Sequence, residues 1–272
     1  MSALAATGHL QQAEAVTNRV ARTFALATRF LPAETRDAVY LLYLVMRSLD
    51  DLVDEGRPEA PERLWLVERW ARAGTVGGQE AEILDHLFRL HPSLSRAAVL
   101  EFVAGMRPDL AGPAFESEAD VDLYAYRVAG TVGELMAGIL GVRSESAYQA
   151  AAALGIAMQR TNILRDVDED LRAGRVYFAA KTLDALGLPD LRRGSRSPLL
   201  RVGVALAEHW YEVGLPGVDL LVRGRRGVRA AALMYREILH QIERDGWGAR
   251  RPWRSTVSGR RKAWLTLRAL AT

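Results

Sequence analysis

Apolar residues return along this chain at steps of three and four. Val39, Leu42, Met46, Leu49 and Val53 fall on one face of a helix that the pattern places at about Ala33 to Asp54. A second helix is predicted from about Ser144 to Leu171, with Ile156, Ile163 and Val167 as its apolar face. No run of alternating β-branched residues is convincing, and no Asn-Gly or Asp-Gly pair separates two such runs. Prolines and glycines punctuate the chain at Pro32, Gly56-Arg57-Pro58, Gly77-Gly78, Pro92, Pro108, Gly112-Pro113, Gly187-Leu188-Pro189, Pro198 and Pro216. The stretches between them suit helices, roughly ten of them, and the breaks are too short for an interdomain linker. The expectation is one all-α domain over residues 1–272.

The polar positions carry a second pattern. Tyr43, Arg47, Asp50 and Asp54 follow steps of four, three and four, so they form a stripe beside the apolar face of the first helix. Asp50 and Asp54 stand one turn apart, about 6 Å along the axis. Like charges at that spacing repel, and a divalent cation would offset the repulsion. In the second helix Gln159, Asn162, Asp166 and Asp170 repeat the device at steps of three, four and four. One such acidic pair is usually solvated surface. Two pairs, each on a helix rich in apolar residues and each beside an arginine (Arg47, Arg165), form a signal.

Mg²⁺ suits such stripes, because it takes one or two carboxylates, several waters and the phosphate oxygens of a substrate. Two carboxylate stripes facing each other could hold a metal cluster that neutralises a diphosphate. Negative charge builds on a diphosphate as its C–O bond breaks, and metals and arginines placed there lower the barrier. The allylic cation left behind needs an apolar pocket that excludes water. A helical bundle with acids near one end and an apolar interior provides both.

Composition narrows the field. Of 272 residues, 49% are hydrophobic and 25% charged, as in ordinary globular proteins, and the chain can bury a sizeable core. The chain has no cysteine, which excludes disulfides, zinc-thiolate sites and thiol catalysis. The N-terminal stretch lacks a basic segment followed by an apolar one, so no secretory signal is expected. The longest apolar run, Ala38 to Met46, falls short of the ~20 residues that span a bilayer, and the expected location is cytoplasmic. The net charge of +3 conceals an asymmetry: thirteen Arg or Lys stand against three acids between Arg223 and Arg268. This basic region, with Trp247, Trp253 and Trp264, is either a solvated arginine face or a peripheral contact with anionic lipid. No recognition motif accompanies it, so nucleic acid is not an expected partner.

The quoted residues resemble the squalene/phytoene synthase family, the head-to-head prenyl synthases of the isoprenoid fold, over about Val20 to Leu270. The first family motif, D-x-x-x-D after an arginine, reads Asp50 to Asp54 after Arg47. The second, Q-x-x-N-I-L-R-D-x-x-E-D, reads Gln159, Asn162-Ile163-Leu164-Arg165-Asp166 and Glu169-Asp170. It continues through Arg172-Ala173-Gly174-Arg175-Val176-Tyr177. Gly105-Met106-Arg107, Asp109-Leu110 and Tyr124 to Glu134 match an intervening block, and Tyr235 to Leu239 with Arg251 match weaker downstream elements.

The resemblance implies a bundle with a central apolar cavity and roles for individual residues. Asp50, Asp54, Asp166 and Asp170 would hold Mg²⁺, with Asn162 assisting. Arg22, Arg47, Arg165, Arg175 and Tyr177 would contact diphosphates, with Tyr43, Gln159 and Tyr235 lining the reaction zone. Asp51, Asp168 and Glu169 would stand behind the metal ligands or face solvent. It implies head-to-head condensation of two prenyl diphosphates, of the phytoene or the squalene/dehydrosqualene type. Transfer of a prenyl group to an aromatic acceptor is the alternative, and a non-catalytic assembly factor is a third reading.

Three positions depart from the family pattern. A serine-containing element reads Ala21-Arg22-Thr23-Phe24, Asp168 replaces a usual glycine, and Ala179 stands where proline is common. Gly130, Gly133 and Ala137 follow Tyr126 at helical spacing. They either thin a helix face to make room for a prenyl chain or let two helices pack closely.

Overall fold

The computed structural model describes residues 8–15, 28, 31–249 and 253–271. Twelve α-helices lie among the described residues. They are α1 (Ala33–Asp54), α2 (Ala60–Ala73), α3 (Gln79–Leu90), α4 (Arg96–Ala111), α5 (Glu118–Ala125), α6 (Thr131–Leu140), α7 (Ser146–Arg165), α8 (Val167–Arg172), α9 (Ala180–Ala185), α10 (Ser197–Gly214), α11 (Arg225–Arg244) and α12 (Gly259–Ala271). A π-helical turn, Tyr126–Gly130, joins α5 to α6, and a 3₁₀ turn, Leu215–Leu220, follows α10. The described residues form no sheet; Val142 and Leu221 meet in a single antiparallel bridge.

The first helix has the bounds its periodicity predicts. Pro32 precedes it, and Gly56, at φ +62°, takes the left-handed conformation just beyond its end. Its apolar face is the molecule's centre: Leu42 and Leu49 are fully buried and join a cluster running from Ala13 to Val257. Truncating either leucine to alanine would cost about 2–5 kcal/mol.

The second predicted helix is corrected. It does not run unbroken from Ser144 to Leu171 but breaks at Asp166, whose φ of −103° and ψ of 13° lie in the bridge region. The Asp166 carbonyl still accepts the amide of Asp170 at 2.9 Å, so the two acids keep their one-turn relation across the break. The Arg165 guanidinium forks onto the neighbouring Asp166 carboxylate at 2.8 and 2.5 Å. A second correction concerns Pro108, which does not end a helix but sits inside α4. It withholds one amide from the last turn, and the helix continues far enough to bury Asp109.

The glycine stripe is settled in favour of close packing. A Cβ on Gly133 would lie 2.3 Å from the Ala151 carbonyl oxygen, and one on Gly155 would lie 2.3 Å from that of Ala129. The obstacle in both cases is backbone of the facing helix, so α6 and α7 touch main chain to main chain. Buried Arg160 fixes α7 from its other side, pairing with Glu118 at 2.9 Å and Asp122 at 2.6 Å on α5. Trp210 of α10 donates to the same Asp122 at 2.9 Å.

After α11 the chain turns through Gly246, Trp247 and Gly248, all at positive φ. Residues 253–257 then form an irregular strap, with Ser255 and Val257 buried and Arg254 and Thr256 exposed. This strap leads into α12, which packs Leu265 and Ala269 on Ala230 and Met234 of α11.

Candidate active site

Helix α1 presents Tyr43, Arg47 and Asp50 as half-buried side chains and Asp54 as an exposed one at its C-terminal end. Arg47 donates to Asp50 at 3.0 Å and also pairs with Asp51. Burial, followed by the repulsion of Asp54, pushes the Asp50 carboxyl up to about 7. Asp170 on α8 is in the same condition: burial, and next the charge of Asp166, push it up to about 7. Two carboxyls in two helices are thus held well above the ordinary carboxylate range, by burial first and by a neighbouring acid second.

The clusters face each other. Asp54 contributes to the repulsion felt by Asp170 as well as that felt by Asp50. Arg175 ties them: its guanidinium reaches Asp54 Oδ1 at 2.6 Å and the Asp54 carbonyl at 2.8 Å, while its own amide donates to the Asp170 carbonyl at 2.8 Å. The unsatisfied carbonyl end of α1 is thereby capped by a cation, the arrangement a helix C-terminus favours.

Across the floor lies Asp109. Tyr177 and Tyr124 donate to its two oxygens at 2.9 and 3.0 Å, and burial raises its pKa in spite of them. The phenol rings lie 5.4 Å apart and nearly parallel. Tyr235 on α11 lies close enough to Tyr43 of α1 and to Arg165 to shift the acidity of both, which brings a third helix to the two stripes. Asn162 donates to Gln159 at 3.3 Å, yet its Oδ1 is buried without a hydrogen-bond partner.

These features fit a hard divalent ion. All candidate donors are oxygens, two of the acids are held well above the ordinary carboxylate range, and Asn162 Oδ1 is a buried acceptor with nothing to accept. Among the described residues no three acids or histidines converge tightly enough to cage an ion by themselves.

Of the residues predicted from sequence, Tyr43, Arg47, Asp50, Asp54, Gln159, Asn162, Arg165, Asp166, Asp170, Arg175, Tyr177 and Tyr235 come together around this space. Arg22 and the neighbouring Ala21 to Phe24 element, with Arg251, lie outside the described residues. Two residues were missed. Asp109 belonged to a quoted block but lacked any spacing signal for a role. Arg254, on the strap, lies 3.0 Å from Asp166 and 3.3 Å from Glu169. Its only sequence signal was membership of the basic region. Asp168 faces neither solvent nor the acids: it accepts the Trp253 amide at 2.8 Å and pairs with buried Arg196 at 2.7 Å.

Comparison with known proteins points one way. The family model described as squalene/phytoene synthase matches residues 17–261. A phytoene synthase of Thermus thermophilus is 38% identical over 234 residues, 83% of this chain and 80% of that protein. A presqualene diphosphate synthase of Zymomonas mobilis is 33% identical over 240 residues, 83% of this chain and 81% of its own length. Among solved structures, a ligand-bound dehydrosqualene synthase superposes with a TM-score of 0.86 at 25% identity, covering 98% of this chain and 96% of that one.

Proposed function

The chain belongs to the squalene/phytoene synthase family and is a prenyltransferase, and we propose that it joins two identical allylic prenyl diphosphates head to head through a cyclopropyl intermediate, releasing diphosphate. The observation that carries this reading is the facing pair of acidic clusters joined by Arg175. The two named sequence relatives are a phytoene synthase and a presqualene diphosphate synthase, so chain length stays open between the phytoene type and the squalene type.

Asp50, Asp54, Asp166 and Asp170, with Asn162 Oδ1, would hold Mg²⁺. Once bound, Mg²⁺ neutralises the diphosphate and stabilises the charge that builds on the leaving oxygen. The arginines follow from their present partners. Arg47, Arg165 and Arg175 each sit on a carboxylate of the clusters. The same three guanidiniums would suit diphosphate oxygens, for which their forked donors are fitted. The paired phenols of Tyr124 and Tyr177 stay neutral, because burial and Asp109 push their pKa values far up. They offer the cation an aromatic surface without offering a nucleophile. The prenyl chains would extend into the apolar interior expected of the bundle, away from water.

No described helix is long and apolar enough to cross a membrane. The product would be a hydrocarbon or a long prenyl diphosphate. We read α12 as a peripheral lipid contact, because it turns Trp264 and Leu267 outward beside Arg260 and Lys262.

The test is direct. The protein is incubated with Mg²⁺ and C5, C10, C15 or C20 allylic diphosphates, with and without NADPH, and the products are identified. A C30 or C40 hydrocarbon, or its cyclopropyl diphosphate precursor, is expected. Diphosphate release that begins only when an aromatic acceptor is added would replace condensation with prenyl transfer to that acceptor. Cosedimentation with anionic but not neutral vesicles is the expected result for α12.

A further inference from the structure

The second acidic cluster is fastened to a part of the chain eighty residues further on, and the fastening uses an acid that the family pattern does not ask for. Asp168 lies on α8 between Asp166 and Asp170, yet its side chain points away from both. One oxygen accepts the backbone amide of Trp253 at 2.8 Å. The other lies 2.7 Å from Nη1 of Arg196, a residue only 2% exposed, whose Nε donates to the Leu191 carbonyl at 2.6 Å. Arg196 is therefore held by the fold and holds Asp168 in turn.

The strap is pinned on both sides of its one exposed arginine. Trp253 is fixed by Asp168, and the buried Ser255 hydroxyl donates to Asp245 at the end of α11. Burial alternates along the strap, with Ser255 and Val257 buried and Arg254 and Thr256 exposed. With 253 and 255 pinned inward, Arg254 is turned out, and its guanidinium falls on Asp166 at 3.0 Å and Glu169 at 3.3 Å. The bond from Asp168 thus decides where that guanidinium stands.

We propose that Asp168 is a positioning residue: clamped by Arg196, it clips the 253–257 strap to the second acidic cluster and sets the Arg254 guanidinium at the diphosphate end of the site. The proposal rests on the functional reading above for the ligand, but the clip itself does not. Arg254 is a long side chain on an exposed strap and would otherwise lose the entropy of being held there only on binding. The clip removes that cost beforehand. Asp168 touches no ligand in this scheme and works only through the strap.

The test uses the full chain, Mg²⁺ and inorganic pyrophosphate, with binding followed by calorimetry. Arg254→Ala is expected to weaken pyrophosphate binding about tenfold, the size of one charge-assisted hydrogen bond. Asp168→Ala is expected to do nearly the same, and the double variant no more than either alone. Asp168→Asn keeps an acceptor for the Trp253 amide and should retain binding within about threefold of the parent. Independent losses that multiply in the double variant would overturn the proposal, because Asp168 would then act otherwise than through Arg254. A second readout needs no ligand: Asp168→Ala should speed tryptic cleavage at Arg254 about tenfold by freeing the strap, and an unchanged rate would overturn the clip. If the parent protein binds no pyrophosphate with Mg²⁺, the functional reading fails, while the trypsin comparison still decides whether Asp168 holds the strap.

Discussion

Glu237 on α11 and Asp50 on α1 are both carboxylates sheltered from water beside arginines, and the fold moves their acidities in opposite directions. Glu237 is buried, which alone would raise its pKa. Hydrogen bonds from Arg261, Arg244 and His240 overcome that and hold it at about 2. One acid faces three cationic or potentially cationic groups. Asp50 is pushed up to about 7, first by burial and then by Asp54, against the pull of a single Arg47. Asp170 repeats the imbalance on the other side of the site. The difference teaches how to tell a tie from a receptor. A tie closes its own charge balance within the protein, as Glu237 does where it fastens α12 to α11. A receptor, as we propose Asp50 and Asp170 to be, leaves the balance open for a cation from solution to close.

That contrast can be broken outright at the acids. Asp50→Ala or Asp166→Ala should lower turnover by about a thousandfold, as expected when charge stabilisation of a leaving group is lost. Full turnover in either variant would remove the metal-site assignment. Asp50→Asn should be equally inactive, yet its metal-free melting temperature should equal or exceed that of the parent, since a repulsive charge is gone.

The opposite result is expected at the tie. Glu237→Gln should lose about 2 kcal/mol in urea unfolding, discounted from the value for fully buried pairs because its arginines are partly exposed. Turnover well below the melting temperature should be retained.

A pH series separates the two on one sample. Asp50 and Asp170 have folded-state pKa values raised above their unfolded value of 3.8, so the folded protein binds more protons than the unfolded chain between about 4 and 7. Metal-free stability should therefore fall as pH rises through that window, and saturating Mg²⁺ should flatten the fall. Glu237 is depressed from 4.5 to about 2, so its contribution is present above pH 4.5 and lost as pH drops toward 2. Melting curves in chelator and in Mg²⁺ measure both slopes. Stability that stays level from pH 4 to 7 in chelator would show that neither burial nor neighbouring acids raise these two carboxyls.

The smallest effect belongs to Asp109, which lies among the acids but has partners of its own. Tyr124→Phe and Tyr177→Phe each remove one donor from it. Each should cost about 1 kcal/mol in thermal unfolding. The double variant should lose more than the sum, because the carboxyl would then be buried with neither donor.

What could be read from sequence was whatever repeats locally. The bounds of α1 and the Tyr43, Arg47, Asp50 and Asp54 stripe follow from residues a few positions apart. The break at Asp166 could not be read, because apolar spacing continues through it to Val167 while a side-chain fork from Arg165 accompanies the turn. Pro108 reads as a stop, yet the helix runs through it to Ala111 at the loss of one amide donor. Arg254 sits between Trp253 and Ser255, which bond Asp168 and Asp245, 85 and 10 residues away along the chain. No period records such contacts. The glycines near 130 were ambiguous because an absent side chain looks the same whether a ligand or a helix takes its place.

That seam between α6 and α7 constrains how the protein can change. Gly133 and Gly155 touch no acid and no ion, yet a methyl on either would strike facing backbone at 2.3 Å. Any accommodation would push α7 aside and carry Gln159, Asn162 and the Asp166 turn with it. A mutational scan scored by activity alone would rank these positions with the aspartates. Evolution toward a longer or shorter substrate has no material there: nothing can be trimmed and nothing added, so pocket size must be varied from other walls.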